Sequence, residues 1–267
     1  MNPVLRILQP KKALLADMRV AGRIVSDVLR ELALLSKPAT SLDMLDELAE
    51  RMIRERGGLP YNKGYHPTWS ETPYPSTIVA NVNDEACHAP PGGRTLQNGD
   101  IVTYDLGVRY RGGCGDAALT VPVGEASNRK LRTLRYAKRA LYNAIRTVRA
   151  GAPISDIGKA VDATCLMYNF RTIKEFGGHH IGREMHLEPQ VPNDYRPAND
   201  NVFLQEGAVI CIEPMLTPGN GKIGLATDKW TIFMVDQQPV AMFEHMVLVT
   251  KDGYELLTNH ITEEENI

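Results

Sequence analysis

The stretch DIVTYDLGVRYRGGCGDAALTVPV, residues 100–123, decides the fold. Its first half alternates, with Val102, Tyr104, Leu106 and Val108 on one face and Thr103, Asp105 and Gly107 on the other, the period of a β-strand. Strand character returns in AALTVPV after the turn-like YRGG, so the whole predicts an antiparallel hairpin. Asp105 and Asp116 lie eleven residues apart, and the midpoint between them falls at Tyr110 and Arg111, beside the turn. Folding back at that point makes the two carboxylates opposed or diagonal neighbours on one face. Like charges at that separation repel, and both stay ionised only with a cation between them. For either aspartate alone, a solvated strand face is the plain alternative.

Towards the amino terminus, residues 12–35 place Leu14, Met18, Ala21, Val25, Leu29 and Leu32 at helical intervals. Ser41 introduces a second such run, LDMLDELAERMIRER, stopped by Gly57 and Gly58. Residues 61–77, YNKGYHPTWSETPYPST, sustain neither period and predict a long loop, which Tyr61, Tyr65, Trp69 and Tyr74 mark as ordered. A strand, TIVANV, follows. Towards the carboxyl terminus the grammar restarts with a helix over 129–149 and another from the cap-like Ser155 to about Tyr168. Strands are then expected around IKEF, AVICIEP, WTIFMVD and MVLVT. Helix, helix, sheet thus occurs twice. A shift of 116 superposes Arg19, Ala21, Arg23 and Arg30 on Arg135, Ala137, Arg139 and Arg146. An internal duplication is the expectation, with two related halves of about 1–125 and 126–267 in a single domain and the site between them.

Composition narrows the function class. A chain of 267 residues buries a substantial core. A net charge of -2, with no block of five or more like charges, offers no electrostatic footprint for nucleic acid or an anionic membrane. Cys87, Cys114, Cys165 and Cys211 lack CxxC spacing and predict free thiols in a reducing compartment, with the cytoplasm as default. No signal-peptide pattern opens the sequence and no 18 uncharged apolar residues run together, so no membrane span is expected.

Two further acids sit in apolar surroundings: Glu213 ends a run in AVICIEPML, and Glu244 lies inside PVAMFEHMVLV. A carboxylate in such a strand takes up a proton or finds a cation, which is either a lysine or arginine or a metal ion. GGHHIGREMHLEP, residues 177–189, supplies neutral imidazole. His179 or His180 would add the nitrogen ligand that an all-carboxylate site lacks. No HExxH or GxSxG occurs. GGCGDAA formally contains GxGxxA, but a strand rather than a helix follows and Asp116 repels a pyrophosphate. Cys87 and His88 are chain neighbours that point to opposite faces of an extended segment, which argues against a thiol dyad.

Two aspartates on a hairpin, a histidine after glycine and two late glutamates together resemble the methionine aminopeptidases, type I. The likeness runs from ADMRVAGRIVSDVL near the start to FEHMVLVT near the end. Carried across by motif, NDEACHAPP brings His88, YDLGV Asp105, GGCGDAA Asp116, GHHIGREMHLEPQV His179 and His186, IEPM Glu213 and FEHMV Glu244. Only 34 residues separate His179 from Glu213, which leaves no room for the large insertion of type II enzymes. The ligand order is shared with the wider family of Xaa-Pro peptidases and prolidases. A related peptidase of that specificity is therefore the alternative, with a non-catalytic binding homologue behind it.

The resemblance implies an α/β pita-bread fold, a central antiparallel sheet with flanking helices and internal pseudo-twofold symmetry. It implies two divalent metal ions held by Asp105, Asp116, His179, Glu213 and Glu244, with cobalt, manganese or iron favoured by the carboxylate-rich set and zinc also compatible. Glu213 is then the general base, His88 and His186 are hydrogen-bond donors to the substrate, and Tyr65 and Trp230 belong to the substrate pocket. The implied partner is a peptide or nascent-protein amino terminus, including those at the ribosome, acted on by a monomer. Some positions depart from the family pattern. GHH stands where GHG is usual, which adds His180 as a bystander, and the loop after Gly64-Tyr65-His66 is longer. Val79 and Met185 replace a cysteine and an aromatic common in bacterial members.

Overall fold

The computed structural model describes residues 10–68 and 70–263. Four helices carry the helical periods: α1 Lys12–Leu35, α2 Leu42–Glu55, α3 Asn128–Ile145 and α4 Ser155–Tyr168. The strands of the first half are β1 Leu59–Pro60, β2 Val79–Val82, β3 Glu85–Cys87, β4 Ile101–Tyr110 and β5 Gly113–Pro122. Those of the second are β6 Arg171–Thr172, β7 Gly178–His180, β8 Leu187–Val191, β9 Val209–Ile212, β10 Met215–Thr217, β11 Ile223–Leu225, β12 Ile232–Met234, β13 Ala241–Met242, β14 His245–Val249 and β15 Tyr254–Leu256. All pairings are antiparallel and form four sheets, ordered β1-β4-β2 with β5 on β4, β13-β10-β6, β11-β12-β3 and β15-β14-β9-β7-β8.

The β4–β5 hairpin forms as its sequence directs, with Tyr110 paired to Gly113 and Arg111 in the left-handed region at φ 51°. Its second strand begins four residues earlier than AALTVPV, at Gly113. Helix α1 is the reason, because it lies directly on those glycines. A Cβ on Gly115 would stand 2.6 Å from the main chain of Ala21 and Gly22, and one on Gly113 2.7 Å from the Met18 nitrogen. The close approach buries Met18, Ala21, Val25, Val28, Leu29 and Leu32 completely. At about 1.5–3 kcal/mol for each large side chain, this contact is a main source of stability for the first half. Strand β4 is buried on both faces, and its Tyr104 hydroxyl bonds the Ser36 hydroxyl at the end of α1, at 2.7 Å.

Four details differ from expectation. The strand placed at IKEF lies two residues earlier, at Arg171–Thr172. Ile173 makes the last sheet bond to Met215, and Lys174 bends to bond the Glu175 side chain. Helix α3 stops at Ile145 rather than 149, since Ala150 and Gly151 leave it to bond Thr250 and Leu204. Ser155 is the first residue of α4 and not its cap; its hydroxyl instead donates to Asp200 at 2.5 Å. Glu213 and Glu244 are not within paired strands but at the breaks between β9 and β10 and between β13 and β14.

The 61–77 loop is cross-tied by Gly64 to Tyr74 and Tyr74 to Tyr65, both 2.8 Å, and its end is held by Asp46, which accepts from the Thr77 and Ile78 amides. Trp69 lies outside the described residues. All four cysteines are unpaired and buried, and among the described residues no helix is long and apolar enough to cross a membrane.

Candidate active site

The hairpin register pairs Asp105 with Ala118 and Gly107 with Asp116, so the two aspartates are diagonal neighbours on one face. The glutamates meet them from the other half. Met215 pairs with Met242 and Ile212 with His245, and the same register carried through the break sets Glu213 opposite Glu244. Hydrogen bonds tie the two halves together here: the Glu244 amide donates to the Ala118 carbonyl at 3.0 Å, and the Thr120 hydroxyl bonds the amide and carbonyl of Met242. Both glutamates lie at breaks in the ladder, close enough to Asp105 and Asp116 for the acids to repel one another.

His179 closes the group from β7. Its Nε2 is 3.5 Å from Asp116 Oδ2 and 3.8 Å from Glu213 Oε1. Its Nδ1 lies 3.2 Å from the His180 carbonyl, which only accepts, so the proton resides on Nδ1 and the Nε2 lone pair faces the acids. His180 itself is buried and turned away from the cavity, and its main chain rather than its ring serves the site. Burial pushes His179 down to about 4, so it is a neutral ligand at pH 7. Burial also drives Asp116 up to about 7 and, with mutual repulsion, drives Asp105, Glu213 and Glu244 well above the usual carboxylate range.

Among the described residues no lysine or arginine forms an ion pair with any of the four acids, which removes the ordinary alternative to a metal. Glu244 Oε1 is buried without a hydrogen-bond partner. One oxygen or nitrogen from each of Asp116, His179 and Glu244, with the Cys211 sulfur, lies within 4.8 Å of the others. Hard carboxylates with one neutral imidazole suit divalent cations, which replace the protons these acids otherwise hold. Cys211 escapes sequence reading, although it lies two residues before Glu213. Burial first, then the nearby acids, raise its thiol far above the thiolate range, so it stands beside Glu244 as a neutral thiol.

These groups floor a cavity of 400 Å³. His88 and His186 stand on its walls, both held down to about 4 chiefly by burial and therefore neutral. His88 adopts φ 61°, a conformation a non-glycine residue keeps only under constraint. The constraint is visible: Ala89 bonds Asn81, and the Arg94 guanidinium gathers the carbonyls of Ala80, Pro90 and Pro91 while pairing with Glu85. The His88 ring meets Phe176 edge-on at 5.5 Å. His186 stacks edge-on against His179 at 4.6 Å, and the Tyr65 hydroxyl lies 3.4 Å from its Nδ1. Tyr74 and Trp230, 5.0 Å apart, pack with Val79 and Tyr65 into an apolar wall. Met185 fills the space over Gly107, where a Cβ would stand 2.2 Å from its methyl. Of the residues singled out in the sequence for this site, His88, Asp105, Asp116, His179, His186, Glu213, Glu244, Tyr65 and Trp230 border one cavity, and His180, offered beside His179 as a ligand, does not. Asn62, Tyr74, Cys87 and Phe176 border it without having been anticipated there.

The family model for metallopeptidase family M24 matches residues 16–251. Methionine aminopeptidase 1 of Bacillus subtilis is 36% identical over 244 residues, 91% of this chain and 96% of that protein. The methionine aminopeptidase of Aquifex aeolicus is 39% identical over 243 residues, 90% and 94% of the two chains. The crystal structure of the Thermotoga maritima methionine aminopeptidase superposes with a TM-score of 0.90 at 31% identity, covering 95% of this chain and 99% of its own. A prolidase from Pyrococcus furiosus reaches 0.70 at 19% identity, covering 97% of this chain and 67% of its own, a likeness of fold alone.

Proposed function

The chain belongs to metallopeptidase family M24, with the pita-bread fold of its methionine aminopeptidase relatives, and from that premise we propose that it removes the amino-terminal methionine of peptides and proteins. The observation that carries the reading is the neutral His179 facing four buried carboxylates without a basic partner, at the floor of a cavity with an apolar wall. Asp105, Asp116, His179, Glu213 and Glu244 would hold two divalent ions; cobalt, manganese or iron suits the set, and zinc is compatible. When bound, such ions supply Lewis acidity to a scissile carbonyl and acidify the attacking water.

The chain's own groups do the rest. Glu213 takes the proton of the attacking water and delivers it to the leaving amine. His88 and His186, neutral and fixed by Phe176 and Tyr65, donate hydrogen bonds to the substrate amide and to the oxygen that gains charge. Tyr65, Trp230, Val79 and Met185 enclose an unbranched apolar side chain and exclude water from it. The substrates include nascent chains at the ribosome. We propose that it acts as a monomer. The unpaired cysteines support a reducing compartment such as the cytoplasm.

We also assign the chain to one catalytic domain of two related halves, about 1–125 and 126–267. The starts of α1 and α3, Lys12 and Asn128, stand 116 residues apart, the offset that aligns the arginines. The test is release of methionine from Met-Ala-Ser, with Ala-Pro-Ala as comparison, by metal-stripped protein resupplied with cobalt or manganese. Metal-dependent release from the first peptide alone is expected, and loss of it in Asp116→Ala. Cleavage of Ala-Pro-Ala in its place would move the assignment to the Xaa-Pro peptidases.

A further inference from the structure

The solvent face of α3 carries a charge pattern that a count of contiguous like charges misses. Eight of the chain's 30 lysines and arginines and none of its 32 aspartates and glutamates fall between Ser127 and Ile154. That segment has a formal charge of +8 against −10 for the remainder. Arg129, Arg132, Arg135 and Arg139 are exposed along the helix and Arg149 just beyond it. Among the described residues none of these five forms an ion pair with a carboxylate, whereas Arg146 at the helix end pairs with Glu263.

The arginines are also pre-positioned. The guanidinium of Arg132 lies 5.7 Å from the Tyr136 ring centre and that of Arg139 5.4 Å from the Tyr168 ring centre, while the two tyrosines stack 4.0 Å apart. Stacking fixes the planar heads while leaving N–H edges for an acceptor, so less side-chain entropy is lost on binding. Beside this ladder runs a groove of 390 Å³ lined by Asn128, Arg129, Arg132, Tyr168, Asn169 and Phe170.

We propose that this face binds single-stranded RNA, with phosphates along the arginines of α3 and an unpaired nucleotide in the groove. The proposal is independent of the peptidase reading. From Arg129 to Arg139 the helix rises about 15 Å, and a strand rising about 3.4 Å per charge presents roughly four phosphates over that length. The Tyr168 and Phe170 rings that line the groove would border an unstacked base, and the amides of Asn128 and Asn169 would serve a ribose 2′-hydroxyl. An anionic bilayer fits less well. It attracts lysine and arginine alike and leaves the stacked arginines and the groove without a role. The apolar face of α3, Leu134, Ala137, Leu141, Ala144 and Ile145, is wholly buried and has none to give a membrane.

The test is fluorescence anisotropy of a short labelled RNA strand of mixed sequence with the full-length, metal-loaded protein. With a slope of about 0.7 per phosphate and about four phosphates, affinity is expected to fall roughly 50-fold between about 50 and 200 mM salt. Arg132→Glu with Arg139→Glu should weaken binding more than tenfold while peptide hydrolysis continues. Arg132→Lys with Arg139→Lys, which keeps charge and loses stacking, should cost a few-fold with the salt slope unchanged. Arg135→Gln should lower the slope by about 0.7. RNA affinity untouched by the charge reversal, equal binding of a DNA strand of the same sequence, or capture by phosphatidylserine vesicles in place of RNA would each overturn the assignment.

Discussion

Replacing Asp116 with asparagine separates the electrostatic account of the site from its chemistry. In the folded, metal-free protein burial holds Asp116 at about 7, against 3.8 for the ordinary group. A carboxyl raised in this way contributes its full stability below the unfolded value, and that stability is lost as pH rises through the folded one. A rise of about three units, at 1.36 kcal/mol each, amounts to about 4 kcal/mol at pH 8. Asp116→Asn keeps the size and removes the charge. Stripped of metal, the variant should therefore be more stable than the parent by about 4 kcal/mol at pH 8, with the gap closing towards pH 4. Adding manganese should reverse the order, since the parent alone retains the full ligand set and ligand binding stabilises by mass action. Urea denaturation at pH 4, 6 and 8, with chelator and with metal, reads both effects. A metal-free parent more stable than Asp116→Asn at pH 8 would mean that Asp116 is charged and satisfied without a metal.

Other expectations follow from the same geometry. Glu213→Gln should lower the turnover of Met-Ala-Ser by a factor of about 10²–10⁴, the usual worth of a positioned base, and stopped assays at saturating peptide would show it. Gly115→Val should destabilise the protein by at least about 1–3 kcal/mol, since its first carbon already meets the main chain of α1, and thermal unfolding measures the loss. His260, whose ring bonds the Ala118 carbonyl, is pushed down to about 3 by burial, so its contribution is complete above 6.5 and declines as pH falls. His260→Gln should accordingly flatten the acid loss of stability by about 3 kcal/mol at pH 4, seen in denaturation curves from pH 7 to 4.

The residues of the candidate site are largely legible because they violate local expectation. Asp105 in an apolar alternation and Glu244 inside an apolar run are costly unless something compensates them, and the hairpin's symmetry about Tyr110 and Arg111 located the first pair. Period alone did not reveal that Glu213 and Glu244 interrupt their strands, because a break in a ladder is set by the partner strand and not by the residue. The same holds for the strand at Arg171–Thr172, chosen by its pairing with β10. Cys211 reads as one more apolar residue, and its place beside the acids becomes visible only when Glu244 and Asp116 are brought to it. Which His179 nitrogen carries the proton depends on a carbonyl one residue away, a matter of main-chain direction. The arginines of α3 were missed for a different reason: helical spacing disperses along the sequence a charge that the helix gathers on one side.

The reading stands or falls on whether the acids and His179 form a two-metal hydrolytic centre. Titrating manganese into metal-stripped protein while following both bound metal and methionine release from Met-Ala-Ser tests it most directly. Release should appear with bound metal and saturate at about two ions per chain. Binding at that level without release, or release that persists in full after chelation, would contradict it.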